Sequence, residues 1–303
     1  MSALEIARGY LARNWKPLPI PYKKKGPTYD DWQRIPIAAE NLSQYFNSGP
    51  QNVGVQMGPA SNGLTDVDLD CHEAITLAPH WLPPTNAMFG RRSKPKSHWL
   101  YTISDAPLDK SSFRLTGSER DCLIELRLGG GKGAQTVFPG STHPSEEQIE
   151  WASAGAPAQS DLATLHAAVK TIACGVVLWR AWPPQGSRHN AALALGGFLA
   201  RAGWEVDTIQ NFVEIVAHYG GSDAPAARGQ DAVDAAGSHA RGENVYGLPG
   251  LIDFFGEKPA KRVAKILGYR EAPAVLLPAA ARGLPWRECM RGGVPGGNQC
   301  ARR

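Results

Sequence analysis

Near residue 155 the hydrophobic pattern of this 303-residue chain changes period. Before that point apolar and polar residues alternate over short runs bounded by Gly, Pro, Ser and Asn, the pattern of strands and turns. After it, apolar residues recur about every 3.6 positions, the pattern of packed helices. The chain is therefore expected to be α+β, with a mixed sheet and flanking helices first and an all-α bundle second. The expected borders are 1–155 for the first domain and 156–271 for the second. Residues 272–303, rich in Pro, Gly, Ala and Arg, read as a flexible tail or truncated linker, because that composition cannot bury a core.

In the first part the spacing predicts a helix over 3–13, an extended proline-rich run at Pro17–Pro21, and a second helix over 37–46. Strands are predicted at 53–57, 64–70, 98–103, 122–128 and 135–138. In the second part Ser160 or Asp161 caps a helix to about 182, and Ser187 caps another over 188–202. Further helices follow at 206–219, 224–240, 248–255 and 259–267, several stopped by glycine.

The chemically pointed segment is Leu64-Thr-Asp-Val-Asp-Leu-Asp70. On a strand, Asp66, Asp68 and Asp70 share one face, opposite Thr65, Val67 and Leu69. Carboxylates gathered on a partly buried face need protons, basic partners or a divalent cation. The plain alternative is an acidic face in solvent. An EF-hand is excluded, since Cys71 and Leu77 stand where its Gly and Glu would be. In Cys122-Leu-Ile-Glu-Leu-Arg-Leu128, Glu125 and Arg127 share a face with Leu123, which fits a second acidic contribution or a simple Glu125–Arg127 ion pair. Between the two comes Ser93-Lys-Pro-Lys-Ser-His98, a basic turn that delivers one histidine to a strand and suits an anion. Gly129-Gly-Gly-Lys-Gly133 lacks the hydroxyl residue of a phosphate-binding P-loop and reads as a glycine-rich turn.

The net charge of +4 is mildly basic, compatible with nucleic acid without a purely electrostatic mode of binding. No apolar run approaches the roughly 18 residues of a membrane span, so no membrane partner is expected. The N-terminus lacks the basic start and apolar stretch of a secretion signal, and the five cysteines are scattered without a Cys-x-x-Cys pair. Both point to free thiols in the reducing cytoplasm.

Taken in order, these motifs resemble the primase–polymerase (prim-pol) domain of the archaeo-eukaryotic primase superfamily, as found at the N-terminus of mobile-element replication proteins. The likeness covers about residues 3–151. It runs through Trp15-Lys-Pro-Leu-Pro-Ile, Lys25-Gly-Pro with Trp32, Asn52-Val-Gly-Val, Ser61-Asn-Gly-Leu64, Asp68-Leu-Asp70, Ser97-His98, Glu125, Phe138-Pro-Gly-Ser-Thr-His143 and Trp151. The helical half resembles the bundle that follows such domains, through Gly186-Ser-Arg-His-Asn190 and Leu195-Gly-Gly-Phe-Leu-Ala-Arg-Ala-Gly203.

The resemblance implies that Asp68, Asp70 and Glu125 bind two divalent ions, Mg²⁺ or Mn²⁺. It implies that His98, with Lys96, Ser97 and Arg127, holds the triphosphate of an NTP or dNTP. The activity implied is template-directed primer synthesis and extension on single-stranded DNA, with a replicative helicase as partner in cis or trans. Lys25, Arg91, Arg92, Arg188, His189 and Arg201 are the candidates for contact with template and primer. Asp66 is surplus to the paired acids, and Glu125 stands where Asp is common. Two other readings stay open: a non-catalytic replication-initiation module that binds DNA or nucleotide, and a metal-dependent phosphoesterase.

Overall fold

A computed structural model describes residues 1–47, 49–118 and 121–270. The expected tail over 272–303 lies outside them. In chain order the elements are α1 (Ala3–Leu11), β1 (Pro17–Pro21), α2 (Leu42–Tyr45), β2 (Gln51–Gln56), β3 (Leu64–Leu69), α3 (His72–Trp81), β4 (Ala87–Arg91), β5 (Lys94–Thr102), β6 (Ser112–Thr116), β7 (Cys122–Arg127), β8 (Gln135–Val137), β9 (Ile149–Ala154) and β10 (Ala158–Gln159). Six helices complete the described chain: α4 (Leu162–Arg180), α5 (Arg188–Arg201), α6 (Val206–Tyr219), α7 (Pro225–Ala240), α8 (Leu248–Phe255) and α9 (Glu257–Leu267).

The large sheet runs β6-β7-β3-β5-β4-β9, all antiparallel, with β10 added parallel to the end of β5. A smaller sheet runs β1-β2-β8. Alternation along the central strands decides what each face of the large sheet meets. Val67, Leu69, Trp99, Tyr101, Ile124 and Leu126 point to one side and share a core with α3, α4 and the helices beyond. Leu64, Leu100 and Phe89 point to the other and pack against Val53, Val55, Met57 and Phe138, with Tyr10 of α1 and Trp15 closing that second core. The α+β expectation is met, with an all-helical region after the sheet. The first core continues through that region, from Val67 to Ile266, and α4 is the helix that joins the two parts.

Several local expectations need correction. The helix predicted over 37–46 shrinks to Leu42–Tyr45, because the Asn41 side chain accepts from the Ala38 N–H and donates to the Pro36 carbonyl, a turn that competes with helix. Helix α3 was not predicted. It buries Ala74, Leu77 and Ala78, but Cys71 supplies no side-chain cap and Pro79 sits in the last turn. Strands β4, β6 and β9 were also missed. In β4, Gly90 marks a bulge where the turn of β5 crosses so closely that a Cβ would strike the Lys94 carbonyl. Contrary to expectation, α4 is long and apolar enough to cross a membrane. Its apolar surface comes largely from Ala, Gly, Val and Cys interspersed with His166 and Lys170, so no unbroken run signals it. Leu165, Val169, Ile172, Val176 and Leu178 are all buried in the core.

The later helices follow their patterns. Asp161 caps α4 by accepting from the Thr164 N–H at 2.7 Å. Ser187 precedes α5 but makes no such bond. The pair Gly196-Gly197 inside α5 lets helix α7 come close, since a Cβ on Gly196 would collide with the Ala232 backbone.

Candidate active site

The site is built by register. Asp68 pairs across β3 with His98 of β5 on one side and with Glu125 of β7 on the other. Asp66 lies opposite Leu100 and Arg127, and Glu125 lies opposite Arg114 of β6. Because side chains in paired positions share a face, Asp66, Asp68, His98, Arg114, Glu125 and Arg127 all stand on the side that meets the small sheet. There the apolar core between the sheets gives way to a polar patch, which Thr136 of β8 joins from the small sheet.

Arg127 is the hub of that patch. Its Nε donates to Glu125 at 3.1 Å, its Nη2 to Asp68 at 2.6 Å, and its Nη1 to Asp66 at 3.3 Å and to Thr136 Oγ1 at 2.8 Å. Asp66 is fully buried and accepts as well from Thr136 at 2.7 Å, while His98 Nδ1 lies 3.1 Å away. His98 Nδ1 is also 3.6 Å from Asp68, and the imidazole stacks on Phe89 with centroids 4.5 Å apart. Glu125 has further donors in Ser112 Oγ at 2.8 Å and Arg114 Nε at 2.9 Å.

Charge decides the protonation of these groups. Burial works against the Asp66 carboxylate, but His98, Arg127 and Thr136 outweigh it and hold the carboxyl below its ordinary range. Burial likewise disfavours the His98 imidazolium, and the carboxylates of Asp68 and Asp66 outweigh that, raising it. Glu125 is depressed against its burial by Arg114, Arg127 and Ser112. Asp70, just past the end of β3, goes the other way: burial and the neighbouring Asp68 raise it. Its N–H still bonds the Leu123 carbonyl, Lys94 donates to its carbonyl oxygen and Cys122 bonds its side chain, but among the described residues no basic side chain forms an ion pair with its carboxylate.

Two hard carboxylates side by side, one lacking a cation, fit a divalent ion of the Mg²⁺ or Mn²⁺ type at Asp68 and Asp70. Glu125 fits less directly, because both its oxygens already accept from Arg114, Arg127 or Ser112. Among the described residues no group of three His, Cys, Asp or Glu side chains is gathered so as to hold a metal by itself. The Arg127 guanidinium stands among the carboxylates instead. With four acceptors engaged it keeps one N–H free, so bidentate contact with a phosphate requires breaking one of these bonds.

The remaining candidates divide by place. Ser97 is buried and Lys96 exposed with a positive φ of 55°, both on β5 just before His98. Lys25 and Arg92 are exposed, whereas Arg91 pairs with Glu147 at 2.9 Å, which also holds Ser93. Arg188, His189 and Arg201 lie on α5 and serve local contacts, with Asp223, Asp231 and the Asn244–Val245 turn respectively. The sequence reading overlooked Arg114, Ser112 and Thr136. Arg114 and Ser112 alternate with Phe113 and Leu115 as a strand would, the one signal available; Thr136 carried none, because its role depends on how two sheets stack.

Beside Glu125 an open cleft of about 440 Å³ is walled by Ser112, Arg114 and Arg127 on one side and by Gly133 to Gln135 on the other. Trp32 closes it. A family model for the N-terminal domain of bifunctional DNA primase/polymerases, Prim-Pol, matches residues 7–165, just over half of the chain. The chain belongs to the Prim-Pol family. Its Prim-Pol domain is followed by the all-helical region, and every strand of both sheets lies within the matched segment. No curated protein matches the chain.

Proposed function

We propose that this Prim-Pol protein is a template-directed DNA primase and polymerase that joins nucleotides on single-stranded DNA with the help of divalent ions. The observation supporting this reading is the register of Asp68 with both His98 and Glu125 on neighbouring strands, within a chain of this family. Asp68 and Asp70 would hold Mg²⁺ or Mn²⁺, which when bound lowers the pKa of an attacking hydroxyl and stabilises charge on a leaving pyrophosphate. Glu125 would join them once Arg127 or Arg114 moves aside.

The chain's own residues do the rest. Asp66 takes His98 Nδ1, leaving Nε2 as the nitrogen available to a triphosphate, and Phe89 fixes the ring plane. Lys96, two positions before His98 on β5, would add charge at the same phosphate position, whereas Ser97 is buried and alternates to the other face of the strand. Arg127 keeps the acids ordered and ionised before substrate arrives, which is preorganisation of the site. Exposed Lys25 and Arg92 would track the strand's backbone, with affinity that falls steeply as salt rises.

The test is incubation of the full chain with single-stranded template, labelled dNTPs or NTPs and Mn²⁺ or Mg²⁺, beside an Asp68→Ala/Asp70→Ala variant. Template-complementary products made only by the wild type support the proposal. Binding without products would replace it with the replication-initiation reading. Phosphate release without polymer would replace it with the phosphoesterase.

A further inference from the structure

The cleft beside Glu125 lies on the opposite side of β3 from His98 and the basic turn. Its floor comes from β6 and β7, whereas Lys96, Ser97 and His98 belong to β5. The aspartates of β3 stand between the two positions. Joining two nucleotides requires the attacking hydroxyl and the leaving phosphate on either side of the reacting centre, roughly in line. If a triphosphate occupies the β5 side, the strand that receives it must end on the β7 side.

The cleft has the chemistry for such an end. Trp32 is half-buried, and its ring edge lies so near Gly133 that a Cβ there would be 3.2 Å from the indole; Gly133 also has a positive φ of 78°. The short helical turn that carries Trp32 is pinned from two directions. Gln33 Nε2 donates to the Lys132 carbonyl at 2.5 Å, and Lys16 Nζ donates to the Gln33 carbonyl at 3.0 Å. A large aromatic side chain is thus fixed at the mouth of a cleft whose opposite wall is Arg114, two-thirds exposed and spanning from the Glu125 carboxylate toward solvent. Ser112, whose hydroxyl donates to Glu125 at 2.8 Å, also lines the cleft. An aromatic face, a cation and a hydroxyl around an open cleft of this size match the base, phosphate and sugar of one nucleotide.

We propose that this cleft binds the 3′-terminal nucleotide of a single-stranded DNA primer, with its base stacked on Trp32 and its backbone phosphate on Arg114. The assignment rests on the nucleotidyl-transfer reading above and adds the subsite that reading leaves open. It also gives Gly133, at the end of the glycine-rich turn, a purpose other than phosphate binding: without a Cβ it leaves room for Gln33 and the edge of the indole.

The test uses the full chain in EDTA, so that binding is read without catalysis. A short 5′-fluorescein-labelled oligodeoxythymidylate is titrated by anisotropy in three forms: intact, lacking the 3′-terminal base, and lacking one internal base. Trp32→Leu keeps apolar bulk over Gly133 but removes the aromatic face, and Trp32→Phe keeps a smaller one. Loss of one base–aromatic stack corresponds to roughly a five- to hundredfold weaker Kd. That loss is expected for wild type with the 3′-abasic strand and for Trp32→Leu with the intact strand, with little further loss when both are combined. Trp32→Phe should recover most of the affinity.

The proposal is overturned if Trp32→Leu binds the intact strand like wild type, if it weakens intact and abasic strands equally, or if the internal base matters and the terminal one does not. In a parallel extension assay, wild type that makes no product removes the polymerase reading but leaves a terminal-base effect standing. An active Trp32→Leu variant with an unchanged KM for primer removes this subsite alone.

Discussion

Replacing Arg127 by Met tests the central arrangement most directly. In the native fold one guanidinium neutralises Asp66, Asp68 and Glu125, whose side chains are 0%, 12% and 9% exposed. At an effective dielectric of 20 each contact is worth about 4 kcal/mol, but simple addition overstates the loss. Removing the arginine also removes its desolvation cost, Glu125 retains Arg114, and Asp68 has some access to water. Asp66 has none, keeping only His98 and Thr136. The expected cost is therefore that of breaking one buried pair, about 3–5 kcal/mol at neutral pH. At about 2–4 °C per kcal/mol for a chain of this size, that is a fall in Tm of roughly 6–20 °C.

The sign with pH follows from the direction of the shift. The depressed Asp66 carboxyl contributes stability to wild type above its unfolded pKa, and that contribution is lost as pH falls through its folded value. In Arg127→Met one of the charges that depress it is gone, so less stability remains to be lost as the group is protonated. The gap between the two proteins should narrow as pH falls below about 4. A divalent ion should also substitute for the missing charge: at ten times its Kd it adds about 1.4 kcal/mol, and Mn²⁺ should raise the Tm of the variant more than that of wild type. Urea and thermal melts at several pH values, with and without Mn²⁺, measure all three effects. A loss below about 1 kcal/mol at pH 7, or equal Mn²⁺ shifts for both proteins, would refute the idea that Arg127 occupies the cation position among these acids.

Other outcomes follow from single contacts. Asp70→Asn should abolish Mn²⁺-dependent synthesis yet leave the fold equally or slightly more stable, by up to about 1 kcal/mol at neutral pH, because burial and Asp68 disfavour the native carboxylate; a Tm drop beside lost synthesis would count against it. Glu73 is depressed to about 2 chiefly by its bond to Arg180, which ties α4 to α3. The shift alone would suggest about 3 kcal/mol, but the pair is partly exposed and screened, so Arg180→Ala should cost about 1 kcal/mol above pH 4.3, a difference that fades as pH falls toward 2 and is readable in acid titrations of stability. Gly196→Ala should lower stability by roughly 1–3 kcal/mol in urea, against the helix-propensity expectation of a gain, because the new methyl meets the Ala232 backbone of α7.

The parts of the fold that could be read from sequence are those governed by local periodicity. Helices α6 and α8 fall on their predicted spans, and α4 begins at the predicted Asp161 cap, since each needs only an amphipathic repeat and a stop signal. Strands β3 and β7 were legible because their alternation is strict. Helix α3 was not, because its first turn has no capping side chain and its last contains Pro79. Strand β6 escaped for a different reason. At its inner positions Ser112 and Arg114 are polar, and they become intelligible only once β7 brings Glu125 opposite Arg114.

The same division holds within the site. Alternation alone put Asp66, Asp68 and Asp70 on one strand face and Glu125 with Arg127 on another, and the family likeness singled out Asp68, Asp70 and Glu125. What no one-dimensional pattern conveys is which cation each acid meets, because that depends on the order β6-β7-β3-β5 and on the small sheet above it. Asp66, the acid surplus to the motif, is the most buried of the set and the one that touches His98, Arg127 and Thr136 together, bridging both sheets. Asp70, named by the motif, stands just past the end of its strand, and Lys94 and Arg127 act on it only from a distance, too weakly to offset burial and Asp68. Under the proposed function the two acids would divide the work: one carboxylate neutralised by fixed partners to hold the frame, and one without an ion pair to take a cation. Asp66→Asn should therefore disturb the setting of His98 and the stability of the fold together, whereas Asp70→Asn should remove synthesis alone, and finding the two effects exchanged would reverse the roles assigned to these two residues.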